Sequence, residues 1–257
     1  MGTATPITAY VVACLGSALG LLSSERARNA TGASRNWWLT VAAVSIGGLG
    51  IWGMHFTAML GTWMGANVAY DIPITLLSML VAIVVVAIGL ILALRRTDDE
   101  RFWPLAAGGV VTGLGVAAMH YTGMSAIEIN AEITYDTATV LLSIAIAVVA
   151  ATAALWFTRE VSGPLAVLGA ALVMGLAVTG MHYTGMHAMN ITINQRASVI
   201  TGNSEDLIMS LIVGGAGFSV IIVFLLALTS PDEERRQEAE VLERVLRRTE
   251  SRRHGQR

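Results

Sequence analysis

Lysine is absent from this 257-residue chain; all 16 basic residues are arginine, and 18 acidic residues leave a formal net charge of −2. A nucleic-acid-binding domain needs a basic excess to neutralise phosphates, and none is present, so nucleic acid is not an expected partner. Cysteine is almost missing as well. The single Cys14 excludes an intrachain disulfide framework and a cysteine-rich zinc site. Charge of either sign is scarce, at 13% of residues against about 25% in ordinary soluble domains. Hydrophobic residues make up 54% and the mean hydropathy is +0.65, so the expected solvent is lipid.

A helix crossing the hydrocarbon core needs about 20 mostly apolar residues. Seven such runs are expected, from Ile7 to Leu22, Trp38 to Leu60, Ile72 to Leu94, Pro104 to Ala126, Ala138 to Phe157, Pro164 to Met189, and Asp206 to Thr229. The first run is short, but no positive residue precedes it and no clean cleavage pattern follows, so it reads as a retained helix. Arginines fall after the first, third and fifth runs (Arg26, Arg28, Arg35; Arg95, Arg96, Arg101; Arg159), and eight more lie in the C-terminal tail. The opposite loops hold six acidic residues and a single arginine, Arg196. Because basic loops stay in the cytoplasm, the N-terminus is expected outside and the C-terminus inside.

The even-numbered runs align without a gap as GLGIWGMHFTAM (Gly48–Met59), GLGVAAMHYTGM (Gly113–Met124) and GLAVTGMHYTGM (Gly175–Met186). Tyr70, Asp71 and Ser78 are spaced like Tyr135, Asp136 and Ser143. The expected fold is therefore an all-α integral membrane domain of seven transmembrane helices. In it, three helix-pair repeats surround an axis along the membrane normal behind a leading helix. All three motifs fall near the outer ends of their helices. Gly48, Gly113 and Gly175 precede their histidines by two turns, share that face and allow close helix approach.

Three of the five histidines, His55, His120 and His182, hold the same repeat position, and His187 lies one turn beyond the last. Eight of the twelve methionines lie in or just after the motifs: Met54, Met59, Met64, Met119, Met124, Met181, Met186 and Met189. At i and i+4, His55 with Met59, His120 with Met124 and His182 with Met186 each project an imidazole and a thioether in one direction. Imidazole suits several transition metals, whereas thioether selects Cu(I), so the pair points to copper; zinc is the weaker choice. A lone histidine on an apolar helix is ordinarily a hydrogen-bonded packing residue, and methionine a gap-filler. Three superposable copies favour a shared site over that reading, because histidine in lipid is costly.

Thr57, Thr122 and Thr184 are expected to bond back to helix carbonyls. Tyr121 and Tyr183 can hydrogen-bond a bound ligand or relay a proton, or simply sit in an interfacial belt, whereas Phe56 can do neither job. Cys14 lies at similar depth and reads as a small buried residue. Trp37, Trp38, Trp52, Trp63 and Trp103 fall near span ends, where aromatic belts account for most of them.

The motifs MHFTAM, MHYTGM and MHYTGM resemble those of the MHYT domain family, from about residue 5 to 230. The resemblance implies a seven-helix bacterial integral membrane sensor of the cytoplasmic membrane. It also implies copper bound near the outer face and detection of oxygen, carbon monoxide or nitric oxide. The ligands it implies are Met54, His55, Met119, His120, Tyr121, Met181, His182 and Tyr183; Phe56 stands where the motif has tyrosine.

A membrane domain over 1–230 is expected to be followed by a charged cytoplasmic helical tail over 231–257. Ser230 and Pro231 can start that helix, and Ala239, Leu242 and Leu246 form a thin apolar stripe. The tail could meet a signalling partner or a second copy. The leading expectation is a copper-binding sensor of a diatomic gas or of copper redox state, rather than an enzyme. The alternatives are a copper-dependent oxidoreductase or copper-handling protein, and a structural helical subunit without metal.

Overall fold

A computed structural model describes residues 4–62, 68–95, 102–193 and 209–225 apart from 211, 216 and 224. Arg196, Met64, Trp63, His254 and the expected tail helix lie outside the described residues. Among the described residues, six helices are long and apolar enough to cross a membrane. They are α1 (Ala4–Asn29), α2 (Gly32–Leu60), α3 (Ile72–Ala93), α4 (Phe102–Ser125), α5 (Thr137–Glu160) and α6 (Pro164–His187). A shorter apolar helix, α7 (Ile212–Val223), lies inside the seventh expected run. The chain divides into two compact units, Met1–Ala216 and Gly217–Arg257, and the bundle of α1–α6 belongs to the first.

The first two helices exceed the runs read from hydropathy, because polar turns at their Arg-bearing ends continue the helical hydrogen bonding. Elsewhere the boundaries follow capping chemistry. The Asp71 and Asp136 carboxylates accept the backbone N–H of Ile74 and Thr139 at 2.8 and 2.9 Å, starting α3 and α5 identically. Gly163, at φ +84°, precedes Pro164 and turns the chain from α5 into α6.

At the end opposite the Asp71 and Asp136 caps, the same end as Gly163, arginines close the helices. The Arg28 guanidinium donates to the Thr158 carbonyl, to the Val161 carbonyl at 2.7 Å and to Ser162 Oγ at 3.0 Å. Arg35 donates to the Leu94 carbonyl at 3.0 Å. Both cations thus satisfy orphan carbonyls where the helix dipole is negative.

Two short antiparallel ladders interrupt the all-helical expectation. Ala69–Tyr70 (β1) pairs with Ile127–Glu128 (β2), and Ala131–Tyr135 (β3) pairs with Met189–Ile193 (β4). They join the chain segments that follow α2, α4 and α6. The Asp71 N–H donates to the Ala126 carbonyl and the Asp136 N–H to the Ala188 carbonyl, both at 2.8 Å, so consecutive repeats are tied alike.

One register differs from the sequence alignment. Within α2, Val44–Gly53 is a π-helix, a stretch that contains Gly47, Gly48, Gly50 and Gly53. A Cβ at Gly113 would meet the backbone of Ala147 and Val148 at 2.9 and 2.4 Å. The repeat-equivalent residues, Ala82 and Ile83, are approached instead by Gly47, whose Cβ would lie 2.7 Å from the Ala82 carbonyl oxygen. Gly48 has only side-chain neighbours, the nearest at 3.5 Å. A π turn takes up one residue more than an α turn. Gly47 therefore does in the first repeat what Gly113 does in the second, and the expected face-sharing of Gly48 with His55 is corrected accordingly. Trp52 is also not a belt residue. It is buried, and its Nε1 donates to the Thr75 carbonyl at 3.2 Å and Ser78 Oγ at 3.1 Å.

Candidate metal centre

Each motif ends its helix beside a ladder, which brings the three motif histidines to one level of the bundle. His55, His120 and His182 are all at most 1% exposed. Nδ1 of His55 lies 3.0 Å from Nδ1 of His182 and 3.3 Å from Nδ1 of His120. The rings meet edge to face, with centroids 4.9 to 5.2 Å apart. One nitrogen from each ring can be chosen so that all three lie within 4.8 Å of one another. Imidazoles ligate zinc-like ions at about 2.0–2.1 Å, which sets donors spread tetrahedrally or trigonally about one ion roughly 3.3–3.6 Å apart. The two separations from Nδ1 of His55 are at or just under that spacing, so the cluster fits a single ion once the rings relax.

The outward nitrogens are tightly held. Nε2 of His55, His120 and His182 is buried without a hydrogen-bond partner among the described residues. A Cβ on Gly123 would stand 2.6 Å from Nε2 of His55, and one on Gly185 only 2.3 Å from Nε2 of His120. Both glycines follow their own histidine by three residues, the position Ala58 holds in the first repeat. Each thus makes room for the histidine of another repeat. Sequence reading missed this role, although the small residue was visible in all three motifs.

The motif methionines are buried to different degrees. Met54, Met59, Met119, Met124 and Met181 are at most 2% exposed, and Met186 is half-buried. Met54 packs with Ala9, Ala13 and Ala58. Met59, Met119, Met124 and Met181 belong to the main core. His187 is exposed at the end of α6 and lies outside the cluster of three.

Tyr121 and Tyr183 place their rings edge-on against His120 and His182, with centroids 4.9 and 5.0 Å away. The Tyr121 hydroxyl reaches across to Ser143 Oγ at 2.7 Å. Ser143 corresponds to Ser78, which takes the Trp52 indole instead because Phe56 has no hydroxyl to offer. The hydroxyls of Thr57 and Thr184 donate back to the carbonyls of Gly53 and Gly180, as expected. Cys14 is half-buried, and its Sγ lies 2.5 Å from where a Gly175 Cβ would be, two turns from His182 and outside the cluster.

Outside the spans, the Asp136 carboxyl is held below the usual carboxylate range by hydrogen bonds from the Thr139 hydroxyl and N–H. Burial beside Tyr121 raises the Tyr135 phenol.

Comparison with known proteins shows the family of the chain. The family MHYT, described as a bacterial signalling protein N-terminal repeat, matches residues 48–104, 113–171 and 175–231. The bifunctional diguanylate cyclase/cyclic di-GMP phosphodiesterase MucR of Pseudomonas aeruginosa is 43% identical over 184 residues, 69% of this chain and 26% of its own length. The cyclic di-GMP phosphodiesterase NbdA of the same species is 35% identical over 194 residues, 72% of this chain and 24% of its own. The signaling protein YkoW of Bacillus subtilis is 31% identical over 191 residues, 69% of this chain and 23% of its own. The chain spans about a quarter of the length of these curated relatives. No solved structure matches it. With three matched repeats, each carrying its motif histidine into one buried cluster, the chain belongs to the MHYT family of bacterial signalling proteins.

Proposed function

We propose that the chain is a membrane-embedded copper-binding sensor that responds to a diatomic gas (oxygen, carbon monoxide or nitric oxide) or to the redox state of its copper. The observation that carries this reading is the convergence of three buried imidazoles, one from each repeat, with Nδ1 of His182 and His120 both beside Nδ1 of His55. His55, His120 and His182 would hold the ion. The motif methionines Met54, Met59, Met119, Met124, Met181 and Met186 offer the soft sulfur that favours Cu(I) over harder ions. A copper ion held by few protein donors supplies an open position for a small ligand and a one-electron couple.

The chain's own residues provide the rest. Burial excludes water, the edge-on contacts of Tyr121 and Tyr183 fix the planes of His120 and His182, and Gly123 and Gly185 set the ring positions. Signalling by the relatives, two of which carry cyclic-di-GMP activities in their names, supports an input role over a purely structural one.

In this proposal a seventh span completes the membrane domain over 1–230. The N-terminus is outside the bacterial cytoplasmic membrane, the metal lies near the outer face, and residues 231–257 report to a cytoplasmic partner or a second copy. The capping of helix ends by Arg28 and Arg35, opposite the motif end, supports this polarity under the positive-inside rule.

Elemental analysis of purified protein tests the reading directly. Copper should be present at a fixed ratio and lost from a His55→Ala, His120→Ala, His182→Ala triple variant that retains its helicity. Equal metal content in both proteins would leave the motifs as packing residues only.

A further inference from the structure

A cavity of about 60 Å³ is lined by residues from all six long helices, α1 to α6. Its position relative to the cluster repeats three times. Ile51, Val116 and Val178 line it, and each precedes a motif histidine by four residues, one helical turn. Met181, the neighbour of His182, lines it as well. The inner helices α2, α4 and α6 thus meet at their histidines and leave a space one turn below.

The lining is almost wholly apolar. Among its three hydroxyl residues, Ser17, Thr112 and Thr158, the latter two donate to the carbonyls of Val85 and Leu155, at 3.3 and 2.7 Å. A buried water needs two to four polar partners, and a roomy apolar cavity without them stays dry and takes up small apolar guests instead. The wall between α5 and α6 is built from alanine. Ala147 and Ala151 are buried, while Ala150, Ala154 and Ala177 line the same space and are only half-buried.

We infer that this cavity is a docking chamber for a small apolar diatomic molecule, entered from the bilayer through the alanine wall and ending one turn from the histidines. The inference rests on the gas-sensing reading of the cluster and deepens it by giving the ligand a route and a waiting place on this chain's own residues. Apolar gases favour hydrocarbon over water, so a lateral entrance draws on the phase where they are concentrated. Three branched side chains of the lining, Ile51, Val116 and Val178, each stand one helical turn from a motif histidine along its helix.

Xenon is a suitable probe because it binds dry apolar cavities and needs no metal. In metal-free full-length protein in nanodiscs with methyl-labelled Met, Ile and Val, xenon should give saturable shifts at Met181, Ile51, Val116 and Val178, with Met59 silent. Ala151→Phe should abolish them, and Ala147→Leu serves if that variant does not fold. Shifts spread evenly over lipid-facing methyls, or methyl-to-water or methyl-to-acyl-chain contacts at Met181, would overturn the chamber.

A second measurement separates the two readings. Ala151→Phe should keep the wild-type copper content and slow nitric oxide binding to the copper-loaded protein severalfold. Copper bound but with an unchanged gas rate would sink the chamber and spare the metal site. Xenon binding without any copper would do the reverse.

Discussion

Gly185 on α6 stands against Nε2 of His120 on α4 so closely that a methyl group at 185 would lie 2.3 Å from it. The absence of a side chain at 185 is therefore what lets the second histidine enter the cluster. Gly185→Ala must displace the imidazole, and with it the Nδ1 that stands 3.3 Å from Nδ1 of His55. Gly123→Ala should act on His55 in the same way, from 2.6 Å. Overpacking of this kind costs about 1–3 kcal/mol. Both variants should remain helical by circular dichroism and lose most of their copper by elemental analysis. Full metal retention would show that these rings do not position the ion.

The π-helical register can be tested with three alanines. Gly113→Ala and Gly47→Ala press a methyl into a neighbouring helix backbone, whereas Gly48→Ala meets only side chains, at 3.5 Å or beyond. Thermal unfolding in detergent should rank Gly48→Ala near wild type and the other two well below it. If Gly48→Ala were as damaging as Gly113→Ala, the straightforward sequence alignment would hold and the extra residue in α2 would not.

Tyr121 and Ser143 form a hydrogen bond of 2.7 Å between α4 and α5. A double-mutant cycle of Tyr121→Phe and Ser143→Ala should give a coupling of about 1 kcal/mol, the usual net value of such a bond. In the first repeat the indole of Trp52 occupies Ser78, so Trp52→Phe with Ser78→Ala should couple similarly. A value indistinguishable from zero for both pairs would mean that neither bond persists in the membrane.

Arg28 closes the end of α5 with hydrogen bonds to two carbonyls and a hydroxyl. Arg28→Ala leaves these acceptors unmatched and should destabilise the bundle by about 1–3 kcal/mol. Proteolysis at the α5–α6 junction, around Val161 to Gly163, should rise accordingly; an unchanged cleavage rate would argue that water replaces the guanidinium without cost.

The Asp136 cap carries a pH dependence of defined sign. Its carboxyl is depressed in the folded protein by the hydroxyl and N–H of Thr139. Its stabilising contribution is therefore complete above the unfolded carboxyl value, about 3.9, and is lost as pH falls through the lower folded value. Asp136→Ala should lower the thermal midpoint at neutral pH, and the gap to wild type should close under acid. A gap that widened on acidification would reverse the assignment.

Much of the site is written in the motifs themselves. Histidine at one repeat position in three apolar helices of like direction already predicts convergence, and the spacing of Asp71 and Asp136 predicts two matching helix starts. What the motifs conceal is how the rings are accommodated. The glycine three residues after His120 and after His182 reads as a generic small residue until its partner from another helix is known. Likewise, the arginines were legible as a charge bias in the loops, but not as caps on Leu94, Thr158 and Val161.

Composition and periodicity, then, decide that this chain lives in lipid as a set of apolar helices, because each helix satisfies its own backbone hydrogen bonds and hydropathy is a local property. Which nitrogens face one another, which glycine opposes which ring, and that Gly47 rather than Gly48 takes the close contact were settled only when six helices packed together. Those relationships are distances between residues far apart along the chain. No local pattern encodes them, and one extra residue in a π turn is enough to move the contact along a helix without altering the motif.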